Sequence, residues 1–136
     1  MTTRKFDPIH DRSAEIIDFI MVAPEMPTDD SLLFKIRLSV EEVVENVVRY
    51  AYEDGAGAME VQISKEGADP ILTIRVVDEG VPFNPLELPD PDLTLSADER
   101  PIGGLGIFLC KQMMDEVTYS YENGCNVLTM CKRVGA

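Results

Sequence analysis

The stretch Val40-Glu41-Glu42-Val43-Val44-Glu45-Asn46-Val47-Val48-Arg49-Tyr50-Ala51-Tyr52 leaves the chain little choice of architecture. Valine and tyrosine favour strands, so residue preference alone points to β structure. Spacing points the other way. Ile36, Val40, Val43, Val44, Val47 and Ala51 recur at helical intervals and form one apolar arc, a pattern that strand alternation cannot produce. The spacing predicts a helix from about Ser31 to Tyr52, entered through the capping residues that end Met26-Pro27-Thr28-Asp29-Asp30-Ser31 and stopped by Gly55 and Gly57. On that helix Glu42 and Asn46 stand four residues apart and project side by side, next to the arc. A carboxylate and a carboxamide in this arrangement suit a general base and a ligand for a hard metal ion. They suit equally well two polar residues on a wet helix face.

The other elements can be placed around this helix. A short edge strand is expected within residues 1–10, then a first helix from about Asp11 to Val22, built on Ile16, Ile17, Phe19, Ile20 and Met21 and ended by Pro24. Met59-Glu60-Val61-Gln62-Ile63 alternates as a half-buried strand does, and Ile71-Leu72-Thr73-Ile74-Arg75-Val76-Val77 reads as a more fully buried one. The segment from about Leu86 to Ile102 is rich in Pro, Asp and Leu and has no period; a loop of that length is usually functional, often a lid. A helix then runs to about Glu116 with Ile107, Phe108, Cys110 and Met114 on its apolar side. Strands at Val117–Tyr121 and Asn126–Lys132 flank the hairpin signal Glu122-Asn123-Gly124. This order predicts an α+β fold: a two-layer sandwich with an antiparallel or mixed sheet and its helices on one face. At 136 residues, with no internal repeat or linker, residues 1–136 are expected to form a single domain.

Composition removes several function classes. No run of about 18 apolar residues occurs, so no membrane span is expected. The first residues carry no apolar signal core, and Cys110, Cys125 and Cys131 show no CxxC spacing; both point to reduced packing cysteines in a cytoplasmic protein. A net charge of −13, from 25 acidic and 12 basic residues, repels nucleic-acid backbones and anionic lipid. It does not exclude a nucleotide, which backbone amides and a metal can hold locally. With His10 as the single histidine, a histidine metal site or a Ser-His-Asp triad is not expected.

Two glycine-bearing turns bracket the expected lid. At the first, Asp78 stands where a buried strand emerges, and Gly80 allows a sharp turn or a close approach to a ligand. An acid there can accept a hydrogen bond from an exocyclic amine such as that of adenine, although Asp, Gly and Pro are also ordinary turn residues. At the second, Gly103-Gly104-Leu105-Gly106 opens a helix, whose free N–H groups and positive dipole end suit phosphates; a simple lid hinge would look the same. It is neither a Walker A loop, since Gly-Lys-Ser/Thr is absent, nor a dinucleotide fingerprint, since Leu109 stands at the third glycine position.

In this order the segments carry more information than they do singly. Glu42-x-x-x-Asn46, then Asp78-x-Gly80-x-Pro82-Phe83, then Gly103-Gly104-Leu105-Gly106-Ile107 resembles the histidine-kinase-like (Bergerat) ATP-binding superfamily. Within it the short chain and the Asp-x-Gly-x-Pro-Phe sequence are most similar to the bacterial anti-sigma-factor serine kinases. The resemblance implies ATP and Mg²⁺ as cofactors, Glu42 as catalytic base and Asn46 as metal ligand. It also implies that Asp78 receives the adenine amine, with Gly80, Pro82 and Phe83 beside the base, and that Gly103, Gly104, Leu105 and Gly106 bind phosphate. Thr129, on the last strand, would match a threonine that supports Asp78 through water. Arg49, where the family often has histidine, lies on the side of Glu42 and Asn46; it can meet a phosphate or form an ion pair with Glu45 or Glu53.

The function so implied is that of an anti-sigma factor with serine/threonine protein kinase activity. Such a protein phosphorylates a STAS-type anti-anti-sigma partner, sequesters a sigma factor, works as a homodimer, and binds neither nucleic acid nor membrane directly. The alternative is a non-catalytic module, gated by ATP or ADP, that controls a phosphatase or another partner.

Overall fold

The computed structural model of the chain describes residues 1–52, 57–87 and 104–135. Within them the elements run β1 (Thr2–Phe6), α1 (Ser13–Met21), α2 (Asp30–Tyr50), β2 (Met59–Glu66), β3 (Ile71–Asp78), α3 (Gly104–Met113), β4 (Glu116–Glu122) and β5 (Cys125–Arg133), with one 3-10 turn at Pro85–Glu87. The expected lid falls mainly on residues 88–103, outside the described residues, and takes Gly103 with it.

The apolar arc settles the conformation of α2. Burying a valine side chain stabilises by roughly 1.5–3 kcal/mol, whereas its helix preference falls short of alanine by less than about 0.7 kcal/mol. Ile36, Val40, Val43 and Val44 are all buried, so packing wins over preference. The helix begins where the Asp29 carboxylate accepts a hydrogen bond from the Leu32 N–H at 2.9 Å. It ends at Ala51, whose N–H reaches the Val47 carbonyl. Beyond that end, the Tyr52 hydroxyl donates to the Ala58 carbonyl at 2.6 Å and accepts from the Glu79 N–H at 2.8 Å. One phenol thus joins the end of α2 to the start of β2 and the end of β3.

The sheet has strand order β1-β2-β3-β5-β4, and every pairing is antiparallel. Alternation along the strands turns Met59, Val61 and Ile63 of β2, Leu72, Ile74 and Val76 of β3, and Leu128 and Met130 of β5 to one side. There they meet Ile16 and Ile20 of α1, Val40 and Val44 of α2, and Cys110 of α3 in one cluster, so the helices cover a single face. The fold is the expected α+β sandwich. Among the described residues no helix is long and apolar enough to cross a membrane.

The β4–β5 hairpin sets the register that matters most. Asn123 and Gly124 have φ of 53° and 79°, as a two-residue type I′ turn requires. The turn pairs Glu122 with Cys125 and therefore Tyr121 with Asn126. On its other side Asn126 stands opposite Asp78, whereas Thr129 pairs with Arg75 and Thr118.

Candidate functional site

The face of the sheet that carries the core ends, near β3 and β5, in a cleft under α2 and α3. Val43, Asn46, Val47 and Tyr50 of α2 form one wall, and Ile107 of α3 another. The floor is Val76 and Asp78 of β3 with Asn126 and Leu128 of β5. Tyr119 of β4 closes the side, and Val81 and Phe83 stand at the turn after β3, with Phe83 43% exposed. The enclosed space is about 40 Å³, room for roughly three water molecules.

Asp78 is the charged group among the described residues that line this cleft. It continues the inward series Leu72, Ile74, Val76 and is 5% exposed. Its Oδ1 accepts from the Gly80 N–H at 2.9 Å and from Asn126 Nδ2 at 2.9 Å. Oδ2 has no hydrogen-bond partner among the described residues. Burial pushes the carboxyl above its ordinary value, and the bonds from Asn126 and Gly80 pull partly back. The arrangement offers one acceptor oxygen in an apolar surround, which suits a donor such as an exocyclic amine.

Gly80 is needed for a close approach, and the approach is to the chain itself. A Cβ at this position would lie 2.1 Å from the Ala51 carbonyl oxygen. Next to it the Val81 N–H donates to that same oxygen at 3.2 Å. The glycine seats the turn on the end of α2.

The remaining predicted residues separate by position. Asn46 lines the cleft, half-buried, and its carboxamide makes no hydrogen bond among the described residues. Glu42, one turn earlier, does not line it; its side chain lies toward α3. There its charge adds to the burial that pushes the Cys110 thiol up to about 12. Arg49 pairs with Glu45, Nε to Oε2 at 3.4 Å, along the exposed side of α2. Pro82 is exposed and outside the cleft, whereas Phe83 is at its mouth. Gly104 opens α3, with Leu105 and Gly106 in its first turn, and Gly103 lies outside the described residues.

Thr129 is not beside Asp78. The register carries it three residues past Asn126, opposite Arg75. The side chain that supports Asp78 is that of Asn126, directly and without a bridging water, at 2.9 Å. Asparagine is depleted in strands because it packs poorly there. Its presence between Cys125 and Val127 was the available signal. Tyr119, whose hydroxyl donates to Asn126 Oδ1, gave no such signal, since tyrosine is common in strands.

A metal can be held at this site through Asn46. Among the described residues no group of three or more His, Cys, Asp and Glu side chains converges. The uncommitted carboxamide of Asn46 is compatible with Mg²⁺, which keeps several waters and is commonly held by one or two protein oxygens together with substrate phosphates.

The profile of the family described as "Histidine kinase-like ATPase domain" matches residues 11–132. Serine/threonine-protein kinase BtrW of Bordetella bronchiseptica is 26% identical over 99 residues, which are 73% of this chain and 69% of that protein. Serine-protein kinase RsbW of Listeria monocytogenes is 32% identical over 100 residues, 68% of this chain and 61% of that protein. The chain thus spans about three-fifths of the length of this RsbW relative. Among solved structures, that of the RsbU and RsbW domains of a Mycobacterium tuberculosis protein superposes with a TM-score of 0.61 at 15% identity, covering 100% of this chain and 33% of that one. At that identity the likeness concerns the fold. A five-stranded antiparallel sheet under three helices, a cleft at Asp78, and a family match across most of the sequence lead to one assignment. The chain belongs to the histidine kinase-like ATPase domain family.

Proposed function

We propose that the chain is an anti-sigma factor with serine/threonine protein kinase activity. In this reading residues 1–136 form one ATP-binding domain that works in the cytoplasm as a homodimer. It phosphorylates a serine or threonine of a STAS-type anti-anti-sigma partner and sequesters a sigma factor. The observation that carries the reading is the layout along α2. Ala51 abuts the Asp78 turn, Asn46 lines the cleft, and Glu42 stands farther along. From Ala51 to Glu42 is nine residues of helix, about 13 Å at roughly 1.5 Å each. That is enough to place a base at one end and a terminal phosphate at the other.

ATP with Mg²⁺ supplies an electrophilic γ-phosphorus when bound. Asp78 would receive the exocyclic amine, Asn46 would hold the metal, and the first amides of α3 at Gly104 would bind phosphate. Glu42 takes the proton of the attacking hydroxyl as the new O–P bond forms and the bond to the departing ADP breaks.

The test is phosphoserine or phosphothreonine on a candidate STAS partner, read by mass spectrometry after incubation with Mg·ATP. Wild type should produce it, and Glu42→Gln should bind ATP as wild type does and transfer nothing. Wild type that binds ATP yet leaves the partner unmodified removes the kinase reading. A second reading has one observation in its favour: Glu42 does not line the described cleft. In that reading the chain is a non-catalytic module, gated by ATP or ADP, that controls a phosphatase or another partner. Glu42→Gln would then leave its regulatory output unchanged.

A further inference from the structure

The side-chain amide of Asn126 is engaged at both ends. Its Nδ2 donates to Asp78 Oδ1 at 2.9 Å and to the Val81 carbonyl at 2.9 Å, with the Gly80 carbonyl at 3.4 Å. Its Oδ1 accepts from the Phe83 N–H at 3.1 Å and from the Tyr119 hydroxyl. The partners fix which end is which. A carboxylate and two carbonyls require donors, and an N–H requires an acceptor. Asn126 is 7% exposed, and a buried polar group with a full set of partners rigidifies whatever it holds.

What it holds is the acceptor of the cleft and the turn beside it. Of the two oxygens of Asp78, Oδ1 is occupied by Asn126 and Gly80, and Oδ2 has no hydrogen-bond partner among the described residues. A carboxylate gripped at one oxygen cannot rotate to present the other. The same amide fastens Val81 and Phe83, so the wall of the cleft and its acceptor are set by one side chain. The acceptor and the turn are thus ordered by the protein's own hydrogen bonds, a preorganisation that lowers the cost of binding.

We propose that Asn126 is a positioning residue of the nucleotide site. By holding Oδ1 of Asp78 and the turn over residues 80–83, it leaves Oδ2 as the oxygen offered to the exocyclic amine of the base. This rests on the nucleotide reading above, and it predicts an energetic coupling between Asn126 and that amine.

The coupling is measured with two ligands, ATP and purine riboside 5′-triphosphate, which lacks the 6-amino group. Dissociation constants are determined by calorimetry in Mg²⁺ for wild type and for two variants. Wild type should prefer ATP by about tenfold or more, the usual worth of a hydrogen bond to a charged group. Asn126→Asp turns acceptors toward Asp78 Oδ1 and the Val81 carbonyl, and should bring the preference to within about twofold of unity. Asn126→Ser is too short to reach both Asp78 and Phe83, and should cut the preference by at least about threefold. A residue that only supports the fold would weaken both ligands equally and leave the ratio alone. Variants that keep the wild-type ratio, whatever their melting temperatures, overturn the proposal; if the Asp variant does not fold, the Ser variant decides. Wild type that binds both ligands without preference also overturns it, while leaving nucleotide binding intact. Wild type that binds neither removes the nucleotide reading, and this inference with it.

Discussion

Gly80 lies so close to Ala51 that a methyl group on its Cα would come within 2.1 Å of the Ala51 carbonyl oxygen. That oxygen belongs to the end of α2 and already accepts from the Val81 N–H at 3.2 Å. Backbone on both sides leaves nothing flexible to yield. Gly80→Ala should therefore destabilise the fold by about 2 kcal/mol or more, in the range of severe overpacking. Gly124→Ala is the contrast: nothing lies within 4 Å, and only its φ of 79° resists a side chain. It should cost about 1–2 kcal/mol. Urea denaturation of both variants tests the ranking, and a Gly80→Ala protein as stable as wild type would refute the close approach.

Asp78→Asn should trade ligand recognition for stability. Burial raises the folded-state carboxyl above its ordinary value of 3.8, so the folded state holds this proton more tightly than the unfolded chain does. Stability from this group is then fully present below 3.8 and is lost as pH rises through the raised value. At neutral pH the ionised side chain opposes folding. Asparagine keeps the acceptor that Gly80 and Asn126 use and removes the charge. The variant should be more stable than wild type at pH 7, the gain should vanish below the carboxylate range, and ATP binding should be lost. Denaturation at the two pH values, with calorimetry at pH 7, reads all three.

Tyr52→Phe removes the hydroxyl that serves Ala58 and Glu79 and leaves a carbonyl and an N–H without it. The loss should be about 1–2 kcal/mol, since neither group is fully shut off from water. The Tyr52 ring also fills the space where a Cβ on Gly57 would lie, 2.1 Å away, and phenylalanine keeps that packing. A loss above about 3 kcal/mol would mean that the stitch does more than two hydrogen bonds account for.

Asn46→Ala should leave the fold intact, because its carboxamide makes no hydrogen bond among the described residues. With Mg²⁺ present, ATP should bind the variant roughly tenfold more weakly or worse. With EDTA the two proteins should bind alike, wild type having fallen to the level of the variant. Equal affinities in Mg²⁺ would take Asn46 out of the metal site.

The sequence made local matters legible and left lateral ones hidden. Periodicity identified α2 through its valines, because burial of that arc outweighs any strand preference. The Asn123-Gly124 turn was equally plain, since both residues tolerate the φ it needs. Which strand lies beside which was not: β5 runs between β3 and β4, and no local pattern records that. Asn126 is hidden in the sequence for this reason, since its importance comes from facing Asp78 across 48 residues of sequence. Thr129 matches by residue type alone, and the register places it opposite Arg75 instead of Asp78. The resemblance implies that Gly80 makes room for a base, and a single sequence cannot reveal that its missing side chain also makes room for the end of α2.

The hairpin turn at Asn123 and Gly124 acts on the cleft from a distance, in the manner of a reading frame. The pairing it sets at Glu122 and Cys125 is inherited residue by residue up to the partnership of Asn126 with Tyr121. A frame shifted by one residue would send every side chain of β5 to the opposite face. Asn126 would leave the cleft, and the polar contact that orients Asp78 would go with it. Point substitutions on the surface of β4 or β5 leave the frame untouched. Loop-length changes at residues 123–124 should therefore be tolerated far less than their exposed position suggests.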